Sequence, residues 1–285
     1  MLLGRIVIRP SSLPGLADCE RRAAAKSLKP QLTRIGWTLR PERRSIGAIV
    51  GTAVHKGVEV SLRHKIKDGT LGTNDDATDQ ACESIAAQYR DTSDEILPDK
   101  VTPNSSAARD QAARMVRSYR THLAPRLKPL FVESRLEAEF GDRVTISGQS
   151  DVMTGEPGRV RDTKTGTRKR ANQAQLGTYM ILARAHGHDM QETVEDFVQR
   201  VGLRAEQPPP VTYQYDSEIA ERSAVATINR FVYAITEFER RLIDLDAPPE
   251  DAFMANPASA LCSEKYCPAH GTKFCREWRA EPKEE

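Results

Sequence analysis

Near residue 130 the hydrophobic period of this chain changes from helical to alternating, and that change limits the folds open to it. Before it, Ile46, Ile49, Val50, Ala53, Val54, Val58, Leu62 and Ile66 recur at helical spacing, and two more helical stretches are expected at 75–91 and 105–124. After it, Val132, Ser134, Leu136, Ala138 and Phe140 alternate with Glu133, Arg135, Glu137 and Glu139, the pattern of a strand with one wet face. Gly141-Asp142 turns the chain into a second strand, RVTISGQSDVM, and Gly155 to Gly158 turn it into a third, RVRDTKT, completing a β-meander. A helix at 171–186 ends at Gly187. Strands near 194–203 and 211–215 flank Pro208-Pro209-Pro210, and Asp216 or Ser217 opens a long helix to Leu245 with Ile219, Ile228, Val232, Ile235 and Leu242 as core residues. Ahead of all this, Ser11 or Ser12 is placed to cap a short helix carrying Leu13, Leu16 and Cys19. The order reads as one α/β (α+β) domain over 1–285, with a helical insertion at 68–128, a meander and helix at 130–187 and an irregular tail bearing cysteines at 253–279.

Composition narrows the function. The 285 residues carry a formal charge of only +2, which excludes a uniformly basic nucleic-acid binder. The charge is unevenly placed, however. Arg5, Arg9, Arg21, Arg22, Lys26, Lys29, Arg34, Arg40, Arg43 and Arg44 face only Asp18, Glu20 and Glu42 in the first 45 residues. A second basic run is Arg159, Arg161, Lys164, Arg168, Lys169 and Arg170. The balance comes from Asp75, Asp76, Asp79, Glu83, Asp91, Asp94, Glu95 and Asp99. Separated patches of this kind suit a phosphate-binding surface. No apolar run reaches the ~18 residues of a membrane helix. The opening MLLGRIVIRP, broken by Arg5 and Arg9, is a poor signal peptide, so a cytoplasmic protein is expected. Five cysteines without an export signal point to metal or cluster binding before disulfides, with Cys82 read as a buried helix cysteine.

The chemistry sits on the meander. Asp162 and Lys164, two apart on the third strand, leave the same face, and Asp151 lies near the end of the second strand. An exposed sheet edge also carries such charges. Two carboxylates beside a lysine nevertheless suit a hard divalent cation, with the ammonium helping the attacking water. His55 and Glu59 share a face of the 46–66 helix, so His55 is a candidate ligand and Glu59 its supporting carboxylate. Gln175 and Tyr179, four apart on the following helix, can hydrogen-bond a phosphate or the lysine.

In order, SSLPGLADCERR, GTAVHKGVE, GQSD, RDTKTG, QLGTY and CSEKYCPAHGTKFC resemble the PD-(D/E)XK nuclease superfamily in its RecB-like branch. Within that branch they resemble the iron–sulfur exonucleases typified by the CRISPR-associated protein Cas-four and the AddB nuclease domain. The resemblance runs from Ser11 to Cys275. It implies a restriction-endonuclease-like core with a central mixed sheet flanked by helices. It also implies a Mg²⁺ or Mn²⁺ site made by His55, Asp151, Asp162 and the backbone carbonyl of Thr163, with Lys164 as catalytic lysine and Gln175 and Tyr179 as the branch's Q-x-x-x-Y pair. Asp162 stands where many relatives have Glu, and no proline precedes Asp151. No G-x-x-x-x-G-K-[ST] is present, so a helicase motor, where one is needed, would be a separate protein.

Cys262, Cys267 and Cys275 supply three thiolates, and Cys19, beside Arg21-Arg22, is the fourth in the family pattern. Four thiolates suit a tetrahedral Zn²⁺ or a [4Fe–4S] cluster. Spacing does not choose between them, and His270 offers a zinc alternative; the resemblance favours the cluster. The expected function is a Mg²⁺/Mn²⁺-dependent deoxyribonuclease, an exonuclease on single-stranded DNA or DNA ends, with Arg159, Arg168, Lys169 and Arg170 gripping the backbone. Its expected setting is recombination or repair beside a separate helicase or integration protein, phage DNA processing in a host cytoplasm, or CRISPR adaptation. A homo-oligomer fits as well. The rivals are a catalytically silent DNA-binding or scaffolding subunit of the same fold and a zinc-dependent regulator.

Overall fold

The computed structural model describes residues 2–91, 96–170 and 172–275. Asp94 and Glu95 of the acidic stretch, and the part of the cysteine-bearing tail beyond Cys275, lie outside them.

The chain begins with β1 (Ile6–Ile8), a 3₁₀ turn, and three short helices, α1 (Leu13–Asp18), α2 (Glu20–Ser27) and α3 (Lys29–Arg34). β2 (Arg44–Ser45) leads into α4 (Ile46–Asp68), then α5 (Asn74–Arg90), β3 (Ile96–Leu97) and α6 (Ser105–His122). The meander is β4 (Pro129–Phe140), β5 (Val144–Thr154) and β6 (Arg159–Gly166). It is followed by α7 (Gln173–Ala185), β7 (Glu192–Gln199), β8 (Val211–Tyr215) and α8 (Ser217–Asp244). The periodicity of the sequence thus locates the long elements. It misses β1, α2 and α3, which are too short for a period to show, and β7 ends at Gln199 rather than 203.

The main sheet is mixed, in the order β1-β5-β6-β7-β8, with β4 paired to β5. β4 runs antiparallel along one side of β5. The other side of β5 is shared: β1 takes Val144–Ile146, and β6 takes only Val152–Thr154. Beyond the Val152–Arg161 pair, β5 and β6 part, and β6 continues in parallel with β7. This fork determines where the site forms.

Helices cover both faces. Val132, Val152 and Val198 join a core with α4, α5 and α6, whereas Leu136, Ile146, Met153 and Val160 join a second core with α7, α8, the N-terminal helices and Phe253 and Phe274 of the tail. A mixed α/β fold with a central sheet between helices results, as the resemblance implies. Ser45 caps α4 through the Ala48 amide, and Gly69 closes it at φ 72°. Among the described residues no helix is long and apolar enough to cross a membrane.

Several local expectations are corrected. The Ser12 hydroxyl donates to the Arg9 carbonyl and does not cap α1. Ile66, near the end of α4, and Ile219, near the start of α8, are exposed, and Val232 and Leu242 are only partly buried. Cys82 is only half-buried. The N-terminal basic segment is only partly an open patch: Arg9, Arg34 and Arg44 are exposed, but others are committed. Arg21 and Arg22 are buried and paired with Asp251 and Asp18, Arg5 pairs with Glu139, and Arg40 pairs with Glu264. Arg159 and Arg161 are likewise neutralised by Glu192 and Asp196. Arg159 is thus already engaged by a carboxylate.

Candidate active site

The fork between β5 and β6 gathers the charged residues. Where the strands part, the Thr163 amide has lost its ladder partner and donates instead to Asp151 Oδ2, at 2.7 Å. The carboxylate thus replaces a strand carbonyl and keeps a buried amide satisfied. Asp162, the next residue on β6 after the last pair, turns inward and is 2% exposed. Lys164 Nζ lies 2.8 Å from Asp162 Oδ2, and Gln175 Nε2 of α7 donates to Asp162 Oδ1 at 3.0 Å. Tyr179 is buried one turn further along α7, against Gly148 of β5.

From the opposite layer, α4 brings His55. A Cβ on Gly51 would come within 2.7 Å of Thr165 Oγ1, so the glycine lets α4 lie close on β6 one turn before His55. His55 Nδ1 is 3.4 Å from Asp151 Oδ1 and 3.8 Å from Glu133 Oε1. Ligand atoms of His55, Glu133 and Asp151 all lie within 4.8 Å of one another.

Glu133 is the residue that sequence reasoning missed. Alternation assigned it to a wet face, yet the pairs Val132–Val152 and Ser134–Ser150 set it directly opposite Asp151. Its backbone is left-handed, φ 53°, a conformation that costs a non-glycine residue on the order of 1–3 kcal/mol and that clusters at functional sites. A signal was available: the 141–143 loop puts Phe140 opposite Val144, and counting back along the ladder reaches Glu133 and Asp151. Glu59 is the opposite case. Its carboxylate is taken by Lys56 and Arg63 of the same helix, and Glu133 takes the place expected of it.

Electrostatics match this geometry. Burial, helped by the nearby Asp151 charge, pushes the Asp162 carboxyl up to about 6 despite Lys164. Burial also opposes ionisation of Asp151, but His55 and Lys164 win and hold it below the usual carboxylate range. Burial disfavours the His55 cation, yet Asp151 and Glu133 raise its pKa well above the ordinary value. Lys164 is desolvated too, and Asp162 and Asp151 keep it firmly protonated. The site therefore holds protons that a cation would displace. Asp162 Oδ2, buried with only the ammonium beside it and no aligned hydrogen bond, is a further sign that the donor set fits a divalent ion.

The cysteines meet about the two chain ends. Cys19, between α1 and α2, Cys262, Cys267 and Cys275 line one small pocket with His270, Arg22 and Asn256. The Asn256 amide donates to Cys19 Sγ at 3.4 Å. All four are free thiols. Burial raises Cys262 and Cys267 and pushes Cys275 up to about 11, so without a metal they stay protonated. The four cysteines share this pocket with a buried, unpartnered His270 Nδ1, whereas among the described residues only His55, Glu133 and Asp151 bring three such ligand atoms within 4.8 Å of one another.

The chain shares its fold with a solved structure. At 11% identity it superposes on a candidate exonuclease from Eubacterium rectale with a TM-score of 0.54, covering 90% of this chain and 86% of that one. A phage-related exonuclease from Haemophilus somnus 129PT is similar at 16% identity and a TM-score of 0.26, over 67% of this chain and 93% of that one. No curated protein sequence matches. The family model of the PD-(D/E)XK nuclease superfamily matches residues 8–272, nearly the whole chain, and the chain belongs to that superfamily.

Proposed function

We propose that the chain is a divalent-metal-dependent deoxyribonuclease that hydrolyses phosphodiesters in single-stranded DNA or at DNA ends, as an exonuclease. The observation that carries this reading is the fork, which brings His55, Asp151, Asp162 and Lys164 together from α4, β5 and β6. His55, Asp151, Asp162 and the Thr163 carbonyl would hold Mg²⁺ or Mn²⁺, which when bound supplies Lewis acidity at the phosphate and acidifies water. Gln175 fixes one oxygen of Asp162 and leaves the other toward Lys164. The Lys164 ammonium is positioned to donate to a phosphate oxygen or to the attacking water and to offset charge developing in the transition state. Tyr179 walls the site on the α7 side, excluding water beneath Asp162.

The free thiols of Cys19, Cys262, Cys267 and Cys275 extend the reading to the iron–sulfur branch, with a [4Fe–4S] cluster that ties the chain ends together and takes no part in hydrolysis. The unpartnered Nδ1 of His270 favours a second reading of this pocket alone, a Zn²⁺ centre. A brown protein with broad visible absorbance supports the first; a colourless one with stoichiometric zinc supports the second. For the catalytic reading, end-labelled single- and double-stranded DNA is incubated with anaerobically purified protein and Mn²⁺ or Mg²⁺. Release of short products, abolished by EDTA and in Asp162→Ala, is expected. Full activity in either control would overturn the metal-dependent site, and gel retardation with no cleavage at all would leave a silent binding subunit as the better description.

A further inference from the structure

The strand register carries the catalytic face outward to the sheet edge. Asp162, Glu195 and Tyr213 are partners across β6, β7 and β8, as are Lys164, Phe197 and Val211. Register partners share a face, so Phe197, Tyr213 and, two residues on, Tyr215 lie on the same side of the sheet as Asp162 and Lys164. Beside Lys164 opens a cleft of about 520 Å³ lined by Phe197, Arg200 and the 165–170 segment. Tyr213 and Tyr215 continue from it along β8, which is the open edge of the sheet.

Charge accompanies the rings. Arg168, Lys169 and Arg170 are exposed. Among the described residues Arg168 and Arg170 form no ion pair, unlike Arg200, which is committed to Asp99. Lys169 lies over both tyrosines, 4.5 Å and 5.0 Å from their ring centroids, and donates to the Tyr215 hydroxyl at 2.7 Å. Tyr215 in turn donates to buried Glu195 at 3.1 Å, and the Asn172 amide holds the same carboxylate oxygen at 2.8 Å. The inner ring is thus held by the protein, while the lysine above it is a solvated, movable cation.

We propose that this face of β7 and β8 is the track for a single DNA strand leading to or from Lys164, with bases stacking on Tyr213 and Tyr215 and phosphates held by Arg168, Lys169 and Arg170. The proposal rests on the nuclease reading and specifies its substrate. Unpaired bases offer the flat faces that exposed Tyr213 and half-buried Tyr215 accept; in a duplex those faces are covered by their neighbours, and only the phosphates would be met. The free cations supply the complementary charge, and Lys169 joins the two regions, lining the cleft beside Lys164 while lying over both rings.

The test uses the full chain with Asp162→Ala, so that binding is read without cleavage. Fluorescence anisotropy compares a labelled 20-nucleotide thymidylate strand with a 20-base-pair duplex. Adding Tyr213→Ala and Tyr215→Ala together is expected to weaken single-strand binding about tenfold or more and duplex binding less than twofold. Tyr213→Phe with Tyr215→Phe keeps the rings and is expected to retain single-strand binding, which separates stacking from the Tyr215–Glu195 hydrogen bond. Lys169→Ala is expected to weaken binding and to flatten its salt dependence. Single-strand affinity unchanged by loss of the rings, equal losses on both probes, a loss in the phenylalanine pair as large as in the alanine pair, or no binding by the parent overturns the track. Hydrolysis of bis(p-nitrophenyl) phosphate by the wild-type protein with Mn²⁺ is measured alongside. Its absence would overturn the nuclease reading while the binding comparison still decides the track.

Discussion

The carboxylate fork and the cysteine pocket both unite residues from distant parts of the chain, but they are held in opposite ways. The fork is built on regular elements. Two strands, α7 and the glycine-cleared contact of α4 fix each side chain, and the charged groups are left mutually dependent: a raised Asp162, a lowered Asp151 and a raised His55. The cysteine pocket is built on irregular backbone and free thiols. It is fixed by bonds that need no metal: Glu20 to Arg230, Arg21 to Asp251 and the Phe253 carbonyl, Asn256 to the Asp18 carbonyl, and Phe274 wedged between Trp37 and Phe238. The difference teaches that charge strain is concentrated where chemistry is expected, and that the pocket is suited to stability.

The largest effects should divide along that line. Lys164→Ala and Asp162→Asn are expected to lower hydrolysis by at least about 10²- to 10³-fold while leaving the fold intact. In metal-free protein Asp162→Asn should even unfold no earlier than wild type at pH 8. A carboxyl raised to about 6 favours folding only below its ordinary pKa, and that contribution is lost as pH rises through 6. A lower unfolding temperature for Asp162→Asn at pH 8 would break the assignment of strain to the fork. Cys267→Ala should do the reverse. It removes the metal or the colour and lowers the unfolding temperature more than any fork variant, because structural metal binding is folding free energy, and any activity loss should follow unfolded protein. Calorimetry and metal analysis of the two variants side by side decide this.

Smaller effects sharpen the fork itself. Glu133→Gln is expected to weaken Mn²⁺ binding about 10- to 100-fold, read by titration of the free-ion electron paramagnetic resonance signal. Mn²⁺ affinity should rise between pH 5.5 and pH 8. His55 and Asp162 both hold protons above or near the acid end of that range, and a cation must displace them. Calorimetric heats in two buffers of different ionisation enthalpy should therefore report proton release, and affinity independent of pH would show that neither group is a ligand. Glu59→Gln is the smallest change. It removes two surface ion pairs on α4, costing no more than about 1 kcal/mol by denaturant melt, with metal affinity unchanged.

The site was legible in unequal parts. Asp162 and Lys164 could be paired from sequence because a strand repeats every two residues. Gln175 and Tyr179 could be paired because a helix repeats every four, and Gln175 does reach Asp162. Glu133 for Glu59 was the error. Helix spacing puts Glu59 in line with His55, but Lys56 and Arg63 are nearer to its carboxylate than His55 is. Individual members of the basic segments misled for a related reason. A run of arginines counts the same in sequence whether it faces solvent or, like Arg21 and Arg161, is buried against an aspartate.

By itself the sequence determined the elements and the chemistry available to them. The meander, the long helices, the aspartate–lysine pair and the clustered thiols all follow from local periods and residue types, which act over a few residues. Only the tertiary structure decided that β5 and β6 part after Val152 and Arg161, that Glu133 faces Asp151, and that Cys19 meets the tail more than 240 residues away. Those outcomes depend on register and on which charges find partners across the sheet, and no local pattern fixes either, because the energy that selects them exists only once the layers have packed.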